Sequence, residues 1–208
     1  MAGLSVTPDE TSPSLAAIIA QVDVALSDYR HQTSPDGMMT IVFTDIEEST
    51  AMMERLGEVA WLEVITKHHK LVRKLVARHG GDVAGAQGDG FMVVFGSASA
   101  ALSFAVELQR AVRRFNEANQ SRSLRVRIGV HTGNVFQLNE DFFGRTVVLA
   151  ARITGQACGG QVLVSAASKQ YTESLGLWTY GPVTSLSLKG LAEAQSVHVL
   201  DWQATAPR

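Results

Sequence analysis

Apolar and polar positions alternate along this chain in two rhythms, and the switches between them mark its elements. Residues 39–44 are almost all apolar or β-branched, which predicts a strand buried on both faces. Val59, Leu62, Ile65, Val72 and Val76 then share one helical stripe, in a stretch interrupted near Gly57 and stopped at His79-Gly80-Gly81. Two short segments, 82–87 and 91–95, flank Gly88-Asp89-Gly90 with the spacing of a β-hairpin. Residues 97–119 form the clearest helix, with Ala101, Phe104, Ala105, Leu108, Ala111, Val112 and Phe115 keeping the helical period. Residues 125–133 alternate, which predicts a strand with Val126, Ile128 and Val130 facing the core. A short strand near 135–138, a loop over 139–144, a helix over 145–157, a strand over 161–165 and a strand-rich tail from Leu177, including 197–202, complete the pattern.

The order β-α-β-β-α-β places the chain in the α+β class. It predicts a ferredoxin-like antiparallel sheet with helices on one face and added C-terminal strands. Residues 1–37 stand apart as an N-terminal arm, leaving 38–208 as the main domain. In the arm, Ser12-Pro13 opens a short amphipathic helix carrying Leu15, Ile18, Ile19, Val22, Leu26 and Tyr29, which ends before the turn at 33–37. Its apolar stripe is too narrow to fold alone, so it is expected to pack on the domain or on a second copy.

Composition changes this picture little. With 46% hydrophobic and 18% charged residues, the chain has the make-up of a soluble globular protein. A net charge of −2 gathers neither nucleic acid nor anionic lipid. The lone cysteine, Cys158, fits a reducing compartment and reads as a small loop residue. No apolar run approaches the roughly 20 residues of a membrane span, and the N-terminus lacks a signal-peptide pattern. The expectation is a cytoplasmic protein whose partners include neither nucleic acid nor membrane.

Three constellations could carry chemistry. Asp45 closes the first strand and Asp89 sits in the hairpin turn, and in this topology the two are neighbours. Carboxylates on adjacent strand ends can share a pair of divalent cations; on its own, Gly-Asp-Gly is also simply a good turn. Next, Ser49 and Thr50 open a helix, where free N–H groups bind phosphate or where either side chain serves as N-cap. Glu47 and Glu48 oppose phosphate there unless cations neutralise the site. Last, Arg152 on a helix could clamp phosphate through its planar fork or be a plain surface arginine. His68 and His69, consecutive on a helix, cannot face one ligand and read as surface or boundary residues. His131 lies at a strand end near the cleft with no assigned role.

The strings Phe-Thr-Asp-Ile-Glu-Glu-Ser-Thr (43–50), Gln-Gly-Asp-Gly-Phe-Met-Val-Val-Phe (87–95), 125–133, 141–153 and Leu-Lys-Gly-Leu (188–191) together resemble the landmarks of the class III nucleotidyl cyclase homology domain, in that family's order and over residues 38 to 202. The resemblance implies a head-to-tail homodimer with composite sites, converting ATP, or less readily GTP, to the cyclic 3′,5′-nucleotide and pyrophosphate. It implies that Asp45, Asp89 and the main-chain carbonyl of Ile46 hold two Mg²⁺ or Mn²⁺ ions. Asp141 matches the base-recognising position and Arg152 the arginine that steadies charge on the phosphates.

Two positions depart from the family. Gly85 stands where a purine-reading lysine belongs, four residues before Asp89, and Val148 stands where a ribose-orienting asparagine belongs, four before Arg152. Gln87, on the same side of the strand as Gly85, could offer its amide to the base. Glu48 replaces a residue that is often small. The alternative reading is therefore a degenerate domain that binds nucleotide or a protein partner with little turnover. A diguanylate cyclase is disfavoured because His-Gly-Gly-Asp-Val (79–83) precedes the hairpin rather than forming its turn. A ferredoxin-like RNA binder displaying Phe91 and Phe95 is disfavoured by the charge balance.

Overall fold

The run of apolar and β-branched residues in the first strand reflects its central place. β1 (Met38–Ile46) lies between β3 (Gly90–Phe95) and β4 (Val126–Asn134), antiparallel to both. Ile41 and Val42 point to opposite faces, and both are fully buried. The structure, a computed structural model, describes residues 37–138, 141–188, 190 and 193–204. The helix expected in the N-terminal arm lies outside these residues, as do Lys189 and Leu191 of the last landmark string.

β2 (Gly81–Gln87) pairs with the outer side of β3, so the first four strands run β2-β3-β1-β4, the ferredoxin-like order. β7 (Val162–Ser165) joins β4 in parallel, and β9 (Gln195–Leu200) and β8 (Tyr180–Leu186) extend the sheet to seven strands. β1 runs two residues beyond the expected 39–44, because Asp45 and Ile46 still pair with Arg127 and Val126 of β4. The expected loop over 139–144 contains a strand: β6 (Asp141–Phe143) pairs with β5 (Phe136–Leu138) as a separate ribbon.

Gly57, at φ 79° and ψ 157°, divides α1 (Ser49–Leu56) from α2 (Glu58–Arg78) at the expected interruption. α2 and α3 (Ala98–Ala118) cover one face of the sheet. Val64, Val72 and Val76 from α2 meet Leu102, Phe104 and Leu108 from α3 over the inward valines and isoleucine of β4. Ser97 caps α3, its Oγ accepting the Ala100 N–H at 3.4 Å.

The expectation of helices on one face is corrected by α4 (Arg145–Thr154), which packs on the opposite face over β1 and β4 and buries Leu149, Ala150 and Ile153. Glycine makes this possible. A Cβ on Gly129 would lie 2.3 Å from Thr154 Oγ1 and 2.5 Å from its main-chain N, and one on Gly133 would lie 2.7 Å from Thr146 Oγ1. The helix therefore rests on bare backbone of β4, and the Thr146 hydroxyl donates to the carbonyl of Asn134. A short α5 (Ala166–Gln170) follows β7.

Two histidines are more deeply set than the sequence suggested. His68 is 2% exposed, with its ring 6.2 Å from that of Phe91. Burial, with the nearby His69 adding to it, pushes its pKa down to about 4. His131 Nδ1 is 2.8 Å from Ser165 Oγ, in a buried hydroxyl network that runs through Ser168 and Thr132 to Thr40. Burial, helped by Arg145, also brings its pKa to about 4. Among the described residues no helix is long and apolar enough to cross a membrane.

Candidate functional site

The rim of the sheet is shaped by strands of unequal length. Pairing of β3 with β1 ends at Phe91 opposite Thr44, whereas β4 continues to Ile46. The last residues of β1 thus lack a strand neighbour on one side. Asp89 fills that gap, its Oδ2 accepting the Ile46 N–H at 2.8 Å. Gly88 takes φ 60°, the left-handed conformation that turns the hairpin. A Cβ on Gly90 would crowd the Thr44 carbonyl at 3.2 Å and sit 3.6 Å from Asp45 Oδ1, so the missing side chain lets the turn close onto β1.

Asp45 lies directly opposite Arg127 of β4. Arg127 Nε donates to Asp45 Oδ2 at 2.7 Å, and Nη2 pairs with the same oxygen. Each of these side chains is about one third exposed. The two aspartates therefore stand at the same end of the sheet, Asp45 lining the cleft described below and Asp89 a smaller groove beside α1. Among the described residues, Oδ1 of each has no protein hydrogen-bond partner.

This donor set suits a hard divalent cation. Carboxylate and main-chain oxygens are the ligands of Mg²⁺ and Mn²⁺. No grouping of three or more His, Cys, Asp or Glu capable of holding a metal occurs among the described residues. Two carboxylates completed by water and phosphate oxygens are nevertheless a common way of holding Mg²⁺.

Beside the rim opens a cleft of about 670 Å³ on the face that carries α4. Phe43 and Met92 give it an apolar floor, the Asp45–Arg127 pair stands at one end, and Gly85 and Gln87 line the hairpin side. Ala151 and Thr154 bring α4 to its edge. Gly85 follows a bulge in β2, and a Cβ there would meet only Met92 Cβ, at 3.8 Å.

Ser49 and Thr50 begin α1, but neither is its N-cap. That position is Glu48, which takes φ 56° and makes no side-chain capping bond. Ser49 and Thr50 line a smaller groove of about 370 Å³ with Asp89, Trp61 and His69. Glu47 turns away from the rim. Its Oε1 accepts the Gly159 N–H at 2.8 Å, and Oε2 pairs with Arg125. Asp141 is exposed on β6, Arg152 is exposed on α4, and Val148 is 47% exposed one turn earlier. None of the three lines the cleft that Asp45 lines. Arg127 was not among the expected site residues. Its signal was the alternation of β4, which puts it on the face opposite Val126 and Ile128, the face of Asp45. His69, expected at a boundary, sits edge-on to Phe91 at 4.8 Å with Nε2 3.0 Å from the Gly88 carbonyl, where it braces the turn.

Known proteins resemble this chain in sequence and in fold. The family profile described as the adenylate and guanylate cyclase catalytic domain matches residues 31–201. A receptor-type adenylate cyclase of Trypanosoma congolense is 31% identical over 208 aligned residues, covering 78% of this chain and 28% of that protein. An uncharacterized protein of Mycobacterium tuberculosis is 35% identical over 136 residues, covering 64% of this chain and 45% of that one. The chain thus spans less than half the length of these curated relatives. Among solved structures, an adenylate cyclase of Trypanosoma brucei in its monomeric state superposes with a TM-score of 0.70 at 25% identity, covering 85% of this chain and 93% of that one. An adenylate/guanylate cyclase/hydrolase from Silicibacter pomeroyi gives 0.72 at 25% identity, covering 82% and 97%.

Proposed function

Because the chain belongs to the adenylate and guanylate cyclase catalytic-domain family, we propose that it converts ATP, in preference to GTP, to the cyclic 3′,5′-nucleotide and pyrophosphate at composite sites between two copies. The observation that supports this reading is the placement of Asp45 and Asp89 at the same rim of the sheet, Asp45 lining a cleft large enough for a nucleoside. In this reading Asp45, Asp89 and the main chain of Ile46 hold two Mg²⁺ or Mn²⁺ ions. Bound there, the ions supply positive charge to the triphosphate and lower the pKa of the ribose 3′-hydroxyl.

The chain's own residues position and enclose the substrate. The start of α1, at Ser49 and Thr50, offers main-chain N–H groups to phosphate. Phe43 and Met92 give the base an apolar bed, and the exposed Gln87 offers an amide to its edge. Asp141, an acceptor carboxylate, suits the amino group of adenine. Arg152 offers its fork to charge that develops as the 3′-oxygen bonds to the α-phosphorus and pyrophosphate leaves. Asp141 and Arg152 are exposed and outside the cleft of their own chain, which favours their delivery to the site of a second copy.

The test is purified protein with ATP or GTP and Mn²⁺, with cyclic product resolved by chromatography. Product that disappears in Asp45→Ala supports the reading. Absence of product from either nucleotide refutes it. That outcome favours the second reading, a domain that binds nucleotide or a protein partner with little turnover. The second reading is motivated by Gly85, which has no side chain to read a base, and by Val148, which cannot hydrogen-bond to a ribose.

A further inference from the structure

We propose that Arg127 is an internal rival to the divalent ion at Asp45, and that it sets the metal concentration at which the site fills. The proposal rests on the reading of Asp45 as a metal ligand. Arg127 and Asp45 are cross-strand partners on one face, so the sheet itself fixes their meeting. Both Nε and Nη2 converge on a single oxygen, Oδ2, and leave Oδ1 facing Gly90. A cation bound at Asp45 therefore meets a carboxylate whose charge is already answered and one of whose oxygens is already engaged.

The two carboxylates of the rim are unequal in this respect. The partner of Asp89 is a neutral main-chain N–H, and no cation pairs with it among the described residues. Only Asp45 carries a resident positive charge. At one-third exposure the guanidinium has water within reach, and it lines the cleft, so it can let go of Oδ2 without stranding a buried charge. Its grip is that of a partly exposed ion pair, strong enough to bias the carboxylate and weak enough to exchange. The arginine thus acts as a positioning residue through Asp45, tuning metal occupancy.

The test is Mn²⁺ binding to the full chain without nucleotide, read from loss of the free-ion electron paramagnetic resonance signal. Arg127→Gln and Arg127→Met remove the charge with side chains of different polarity, so either serves if the other fails to fold. Each is expected to tighten Mn²⁺ binding about three- to fivefold, the upper part of what a partly exposed ion pair is worth. Arg127→Lys, which keeps the charge, is expected to stay within about twofold of the parent chain. Unchanged or weaker Mn²⁺ binding in the charge-removing variants overturns the proposal, because the arginine would then be orienting the carboxylate for the metal. Tightening by lysine equal to that by glutamine also overturns it. Asp45→Asn separates the two readings: if it binds Mn²⁺ as the parent does, the metal-site reading itself fails.

Discussion

Replacing Gly129 by alanine would place a methyl group where α4 already stands. The new Cβ would lie 2.3 Å from Thr154 Oγ1, 2.5 Å from its N and 2.8 Å from its Cα, whereas ordinary contact begins at 3.4 Å. The hydroxyl can rotate away, but the backbone cannot. Restoring contact to the nitrogen alone requires the helix to retreat by about 0.9 Å from β4. Overpacking of this kind costs about 1–3 kcal/mol. For a chain of this size that is a fall of about 2–12 °C in melting temperature. Ala151 and Thr154 line the cleft, so the same retreat should widen it and lower turnover. Urea unfolding and thermal melting would measure the change. Gly85→Ala is the control, since its Cβ meets only Met92 Cβ at 3.8 Å. Thr154→Ala should not rescue Gly129→Ala, because the main-chain atoms remain in place. A Gly129→Ala protein that melts within about 1 °C of the parent, or one restored by Thr154→Ala, would refute the reasoning.

Other outcomes follow from the same structure. His68 and His131, with folded pKa values of about 4 against an ordinary 6.5, are held neutral by burial; the unfolded chain binds protons that the fold refuses. Stability is therefore full above pH 6.5 and declines as pH falls toward 4, by up to about 3 kcal/mol per histidine. Urea midpoints at neutral and acid pH should diverge, and His68→Phe should narrow that gap; an equal gap would contradict the assignment. Glu48→Gly should raise the unfolding free energy read from urea titration by about 1 kcal/mol, by placing glycine at a left-handed φ of 56°, whereas Glu48→Ala should not. Gly85→Lys has room to enter the cleft without loss of stability, and it should raise turnover with ATP by about tenfold or more. Unchanged turnover would mean that the base is read by other groups.

The parts of the fold that were legible in the sequence are those in which burial repeats locally. The apolar run of β1, the break at Gly57, the stripe of α3 and the inward Val126, Ile128 and Val130 each declare themselves within a few residues. The seat of α4 was not legible, because it depends on Gly129 and Gly133 meeting Thr154 and Thr146, and along the chain these glycines show only a weakened strand. β6 was hidden because, at three residues, neither it nor its partner β5 is long enough to show an alternation. His68 sits four residues from both Val64 and Val72, squarely on the buried stripe of α2, but its polarity disguised it. That Asp45 and Asp89 fall at the same rim of the sheet could be anticipated from hairpin topology. Arg127 could have been found by the parity of β4, yet an arginine on a strand reads first as a solvated side chain. The significance of Gly85 and Val148 was visible only against the family pattern.

The fastening of α4 decides where movement can arise. Thr146 ties its start to Asn134, Thr154 lies against Gly129, and the turn that follows is held by Glu47 through Gly159 and by the Val126 carbonyl through Gly160. Residues 145–160 therefore travel with the sheet as one rigid plate, leaving Arg152 no local hinge on which to swing. Under the two-copy site proposed above, the approach of that arginine to a triphosphate would be governed by how one molecule is rotated against the other. A regulator could then raise or silence turnover by a small rotation between intact subunits, with no refolding inside either.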